Sequence, residues 1–288
     1  MFTVFGAGSI GTVLAAALSD AGVDVAIAGR RAVSALRVEG DEECIEADVD
    51  VVDEPRGTIL LCVHETDVAS LAARWPDRTL VTFANGVTAE RDAARTCAVI
   101  GGVWRMTCTW TAPGRALFTR RGRIVVGPWS DGVDVQPVAD ALRAARFDVG
   151  VSEEIEADLW LKLLCNIGST PNAIVRGADH GDPRFGALKA DLVREAWEVL
   201  QARGMRAASC DGRDASPEEE IERQRHAGPR ARPVYNDTWR QLHRGQAPKQ
   251  RYHKTIADLG HAPRNARMDA LLLAAAAPEC YTLDEVLV

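Results

Sequence analysis

The chain opens on Phe2-Thr3-Val4-Phe5-Gly6-Ala7-Gly8-Ser9-Ile10-Gly11, a short apolar run that breaks into glycines at G-x-G-x-x-G spacing. Such a run reads as a buried strand turning into a helix. Gly6 permits the tight turn, Gly8 lets a pyrophosphate approach the backbone, and Gly11 lets helix and strand pack closely, with Ser9 and Ile10 completing the loop. Phosphate oxygens would meet the unpaired amides of a helix N-terminus, where the dipole favours anions. Glycines at this spacing also mark ordinary turns, so the context matters. An alanine-rich apolar stretch at residues 12–18 follows, Gly22 stops that helix, and a second strand runs over residues 23–28. This context favours a dinucleotide site over a bare turn.

The second strand ends on Gly29-Arg30-Arg31. An NAD site would place an acidic side chain there for the ribose hydroxyls; guanidinium groups match a 2′-phosphate instead, which points to NADP. The alternative for Arg30 and Arg31 is a solvated helix start.

With 288 residues, 47% hydrophobic content and 26% charge, the chain can bury a sizeable core and divides into two expected domains. No run is long and apolar enough to span a bilayer, and the first residues enter a strand without a basic, cleavable leader, so a cytoplasmic enzyme without a membrane partner is expected. The cysteines, Cys44, Cys62, Cys97, Cys108, Cys165, Cys210 and Cys280, are scattered and contain no C-x-x-C pair. That argues against a disulfide framework and a metal site, and leaves them as buried small apolar groups. A net charge of -7 disfavours a nucleic-acid partner.

Further apolar runs at residues 58–63 and 79–83 flank a helix-like stretch at 65–75, and strands alternating with helices predict a parallel sheet covered on both faces. Residues 44–52 alternate too weakly to choose between a hairpin and a loop. Residues 98–110 and 116–126, separated by Pro113-Gly114, read as strands folding back on each other, an antiparallel extension of the sheet. A helix over 134–146 and a last strand over 147–151 follow. From Glu153 onward the pattern is helical, with helices expected at 187–203, 218–225, 252–259 and 265–277. The fold class is therefore α/β: a Rossmann-type domain with an antiparallel extension over residues 1–151, then an all-helical domain over 152–288.

Ligands bind outside the carboxyl ends of strands in an open parallel sheet. His64 follows the run at 58–63 and Asn85-Gly86 follows the run at 79–83, so both face the side that the glycine loop faces. Asn85 can hydrogen-bond a carboxamide, a ribose or a substrate oxygen, or Asn85-Gly86 is simply a turn tolerating positive φ. A second constellation begins at Ser152, read as an N-cap, with Glu153, Glu154, Glu156 and Asp158 at the positive end of a helix. Lys162 and Asn166 share one face of it, four residues apart. Asp158 stands four residues before Lys162, which leaves open an i,i+4 salt bridge on a solvated face. Alternatively Lys162 faces the interdomain crevice as a proton donor to a carbonyl oxygen.

Taken together, the N-terminal G-A-G-S-I-G, Asn85-Gly86, the Trp160-x-Lys162-x-x-x-Asn166 helix and Arg232-Pro233-x-x-Asn236-Asp237 resemble the ketopantoate reductase family over nearly the whole chain. The resemblance implies a Rossmann domain binding NADPH and a helical domain closing over a 2-oxo acid. It implies Lys162 as general acid, Asn166 as a substrate contact and Asn85 beside the nicotinamide. His64 stands where the family has a lysine near the cofactor. Pro233 replaces a serine, Asn236-Asp237 a glutamine-aspartate pair, and Pro248-Lys249-Gln250-Arg251 a Thr-Glu-Ile-Asp element, so that a substrate-binding glutamate becomes Lys249. The expected substrate contacts are thus Asn166, Thr170, Asn236 and Lys249. The charge reversal points away from ketopantoate, toward a 2-oxo acid with a second carboxylate. Imine reduction, hydroxy-acid oxidation and a non-catalytic NADP sensor are the alternative activities, and a homodimer stays open.

Overall fold

The computed structural model describes residues 1–118, 121–227 and 236–288. Arg232 and Pro233 lie outside the described residues. The chain divides into two compact units, Met1–Asp158 and Leu159–Val288.

In chain order the first unit holds β1 (Phe2–Phe5), α1 (Ser9–Asp20), β2 (Val25–Ala28), β3 (Ala35–Glu39), β4 (Cys44–Asp48), β5 (Asp50–Val51), β6 (Thr58–Leu61) and α2 (Glu65–Ala72). It continues through β7 (Thr79–Thr82), α3 (Ala89–Ala93), β8 (Ala98–Arg105), β9 (Cys108–Ala112), β10 (Arg115–Phe118), β11 (Arg123–Pro128), α4 (Gln136–Ala144) and β12 (Asp148–Val151). Among the described residues an eight-stranded sheet runs in the order β12-β11-β8-β7-β6-β1-β2-β5. The strands from β8 to β5 are parallel, and β11 runs antiparallel to β8.

The near-continuous apolar strands follow from cover on both faces. Leu60 of β6 joins the core that contains α1 and α4, whereas its neighbours Ile59 and Leu61 join the core that contains α2 and α3. Every residue of α1 from Gly11 to Leu18 is buried. A helix apolar all round needs partners on more than one side. The second partner is a four-stranded sheet, β4-β3-β10-β9, whose Leu36, Val38, Ile45, Ala116 and Phe118 share the core of α1.

This second sheet corrects the extent of the antiparallel extension and decides two alternatives that the sequence leaves open. Only β11 and β12 extend the main sheet against its direction; β9 and β10 leave it. Residues 44–48 are a hairpin arm, since β4 pairs antiparallel with β3, whereas β5 pairs parallel with β2 at the edge of the main sheet. Arg30 and Arg31 start no helix: they lie in a turn closed by the Ala32 amide on the Gly29 carbonyl at 3.0 Å, and the chain passes into β3. The cysteines also differ from expectation, as Cys97 is buried but Cys44 and Cys210 are exposed, Cys44 because it alternates with the buried Ile45 on β4.

Helix α5 (Ile155–Ser169) runs through the division between the units. Ser152 lies three residues before it. Its hydroxyl accepts from the Glu154 amide at 3.1 Å and donates to Asp158 Oδ2 at 2.7 Å, so it braces the first turn from outside rather than capping it as the N-cap residue. The second unit continues through α6 (Pro183–Ala202), α7 (Pro217–Arg225), α8 (Asp237–His243), α9 (Tyr252–Leu259), α10 (Pro263–Ala274) and α11 (Leu283–Leu287). No helix among the described residues is long and apolar enough to cross a membrane.

Candidate functional site

The parallel register sets four loops side by side. Phe5 at the end of β1 stands opposite Ala28 at the end of β2 and opposite Leu61 at the end of β6, and Leu61 stands opposite Thr82 at the end of β7. The ladder continues one step further, with amides of Gly6, Cys62 and Phe83 donating to carbonyls of Ala28, Phe5 and Leu61. The segments that leave this edge are, in spatial order, Arg30-Arg31, the glycine loop, His64 and Asn85-Gly86. After β1 the chain proceeds to β2 on one side and later to β6 on the other, so the glycine loop sits at the switch point where open α/β sheets take ligands.

The glycines of that loop divide by cause. Gly6 has φ +108°, and a Cβ there would lie 2.4 Å from the Cys62 carbonyl oxygen; on Gly11 it would lie 1.9 Å from the Gly6 carbonyl oxygen. Packing of strand and helix explains both. Around Gly8 nothing among the described residues lies within 4 Å of a Cβ position, so no contact with them demands a glycine there. Gly8 is also the N-cap of α1, with no side chain capping it and no acidic residue in the first turn. The amides of this helix end are thus left to an anion that comes close to the backbone.

His64 is the N-cap of α2 and is half-buried, and Asn85 is half-buried in the turn after β7, its amide without a protein partner among the described residues. Glu65, which carried no role in the sequence reading, ties these two places together. Its Oε1 accepts from the amides of Val87 and Thr88 at 3.2 and 2.8 Å and from the Thr88 hydroxyl. Beneath the same turn Glu90 is fully buried, and Thr82 donates its hydroxyl to Glu90 Oε1 at 2.5 Å. Burial pushes this carboxyl up to about 7, with the nearby Glu65 and Glu156 carboxylates acting in the same direction.

In the second unit Lys162 and Asn166 are half-buried, one turn apart on α5, and Asn166 Nδ2 is buried without a hydrogen-bond partner among the described residues. Asp158 is 1% exposed and engaged by Ser152, so the face it occupies is not a solvated one. Thr170 is buried behind this helix end, its hydroxyl against the Asn166 and Ile167 carbonyls and 2.9 Å from His253 Nε2.

Residues 2–131 match the family model described as Ketopantoate reductase PanE/ApbA. Over those residues the chain is similar to the ketopantoate reductase family. A 2-dehydropantoate 2-reductase of Pyrococcus abyssi is 28% identical over 226 residues, covering 70% of this chain and 74% of that one. Among solved structures, a PanE/ApbA family ketopantoate reductase from Ralstonia eutropha superposes with a TM-score of 0.78 at 20% identity, covering 100% of both chains. A D-mandelate dehydrogenase solved with NADH and anilino(oxo)acetate gives a TM-score of 0.80 at 16% identity, again with 100% of both chains covered.

Beyond residues 2–131, the other two residues expected near a substrate are tied into the helical unit in different ways. Asn236 caps α8, with Oδ1 accepting from the Trp239 amide at 2.9 Å, and its Nδ2 donates to the Ser169 carbonyl at 3.1 Å. Lys249 is exposed between buried Pro248 and Gln250, its amide held by Gln241 Oε1 at 2.8 Å. Arg264 and Arg267, by contrast, line a cavity of about 320 Å³ beside Leu188, Met268 and Leu271.

Proposed function

We propose that the chain is an NADPH-dependent reductase of a small 2-oxo acid. The observation that carries the reading is the series of loops along one sheet edge, with the uncapped helix end and the open space at Gly8 facing any bound phosphate. The relatives named 2-dehydropantoate 2-reductase support the reaction class. A bound nicotinamide supplies the hydride that reaches the carbonyl carbon.

The chain's own residues do the rest. Gly6, Gly8, Ser9, Ile10 and Gly11 form the pyrophosphate cradle, Arg30 and Arg31 meet a 2′-phosphate, and His64 and Asn85 border the nicotinamide end. Lys162 donates a proton to the carbonyl oxygen as negative charge develops on it, which turns the 2-oxo acid into the 2-hydroxy acid. Asn166 offers an unpaired Nδ2 donor one turn away, suited to a substrate oxygen, and fixes its orientation. Thr170 and Asn236 support the end of that helix through the contacts they make with Asn166 and Ser169. Lys249, where the family pattern has a glutamate, selects a substrate with a second carboxylate.

The test is NADPH oxidation, followed by nicotinamide absorbance, across 2-oxo acids that include ketopantoate and oxo-dicarboxylates, with NADH alongside. Turnover that disappears in Lys162→Ala while cofactor binding persists is the expected result. Tight NADPH binding with no turnover on any member of the panel would overturn the reading.

A further inference from the structure

We infer that Trp110 is a positioning residue for cofactor discrimination: its indole face holds the Arg31 guanidinium where a 2′-phosphate is received. The inference rests on the NADPH reading above and deepens it. Trp110 lies on β9, outside the dinucleotide sheet, yet two contacts bring it to the cofactor end of that sheet. Its backbone amide donates to Ser9 Oγ at 3.1 Å, which fastens β9 to the first residue of α1. The Arg31 Cζ sits over the indole, 5.2 Å from the ring centroid. Among the described residues the Trp110 Nε1, buried, has no hydrogen-bond partner. Ser9 follows β1 and Arg31 follows β2, and those strands end opposite each other, so the three residues converge on one place.

An exposed arginine otherwise samples many rotamers, and fixing one costs side-chain entropy when a ligand binds. Stacking on an aromatic face removes much of that freedom beforehand and leaves the in-plane N–H donors available to phosphate oxygens. NADP carries the phosphate ester that profits from this arrangement; NAD carries a hydroxyl and gains little. The four-stranded sheet then does more than cover α1. It supplies the platform on which the discriminating charge rests.

Dissociation constants of NADP+ and NAD+ for the full chain, measured by calorimetry, test the inference in Trp110→Ala, Trp110→Phe, Arg31→Ala and the Arg31→Ala/Trp110→Ala double variant. Trp110→Ala should weaken NADP+ about tenfold and leave NAD+ within about twofold, while Trp110→Phe keeps most of the affinity. The double variant should bind NADP+ no more weakly than Arg31→Ala, because without the guanidinium the platform has nothing to hold. Equal losses for both nucleotides, additive losses in the double variant, or a parent chain without preference for NADP+ would each overturn it. Melting temperatures without nucleotide report folding, and Trp110→Phe carries the comparison where Trp110→Ala does not fold: unchanged NADP+ preference supports the inference, and its loss overturns it. A parent chain that prefers NADP+ yet reduces no 2-oxo acid would remove the reductase reading and leave this inference standing.

Discussion

The carboxylate of Glu65 fills the space that a Cβ on Gly86 would occupy, its two oxygens lying 2.3 and 2.4 Å from that position. Gly86 also holds φ at +121°, where side chains are strained. Carboxylate and glycine therefore define one another, and the turn that presents Asn85 is clamped to the residue after His64.

Gly86→Ala should expel the carboxylate, break its three hydrogen bonds and destabilise the first unit by about 3 kcal/mol, read from the urea midpoint. Glu65→Gln keeps the shape and loses the charge, so it should cost less, about 1–2 kcal/mol. In both variants kcat should fall further than NADPH affinity, because the clamp acts on Asn85 and not on the glycine loop. A Gly86→Ala protein with parental stability and turnover would refute the clamp.

Glu90 makes the first unit sensitive to alkali. Its carboxyl titrates at about 7 when folded against an ordinary 4.5, so the native state holds the proton more tightly than the unfolded chain. The stability this confers is present below about 4.5 and is lost as pH rises through 7, a loss of about 3 kcal/mol for a fully buried group. Glu90→Gln should therefore be more stable than the parent at pH 8 and close to it at pH 4.5. Equal slopes of stability against pH in the two proteins would assign the effect to another group.

His253 makes the second unit sensitive to acid. Asn265 directs its Nδ2 to Glu195 and Leu192, which leaves Oδ1 to accept from His253 Nδ1 at 2.7 Å; Nε2 lies 2.9 Å from the Thr170 hydroxyl. Burial pulls this ring down to about 4, so below about 6.5 the unfolded chain takes up a proton that the native state refuses. Stability is complete above 6.5 and declines by about 3 kcal/mol as pH falls to 4. His253→Gln should be weaker at pH 7 but nearly flat between pH 4 and 6.5, as guanidinium titrations at several pH values would show. A variant that keeps the parental acid slope would exclude His253 as its source.

The parts of the fold legible in the sequence are those that local chemistry determines. Gly6, Gly8 and Gly11 announce a strand, turn and helix by their spacing, Gly11 with its steric reason only five residues away at the Gly6 carbonyl, and the apolar runs of β1, β6 and β7 need only their own composition. The pairing of β3 with β10 joins residues nearly eighty apart, as Arg37 with Arg115, and no local pattern encodes it. Glu65 escaped notice for a related reason: its partners are the Val87 and Thr88 amides and one hydroxyl, and backbone donors leave little mark on a sequence. The interior position of Thr170 is of the same kind, since His253 reaches it from 83 positions away.

Lys249 gives the sharpest test of substrate class. The neighbours Pro248 and Gln250 are buried while Lys249 is exposed, so a change of its side chain leaves the packing of this segment intact. Restoring the carboxylate with Lys249→Glu exchanges an attraction for a repulsion toward the second carboxylate of an oxo-dicarboxylate. At a partly solvated distance each such term is worth about 1 kcal/mol, so kcat/KM for the dicarboxylate should fall on the order of tenfold or more. Ketopantoate lacks that group and should be reduced at least as well as by the parent. Side-by-side kcat/KM values for the two substrates decide the matter: an unchanged ratio means that Lys249 does not face the substrate, and selectivity then has to be sought in Asn166 and its neighbours on α5.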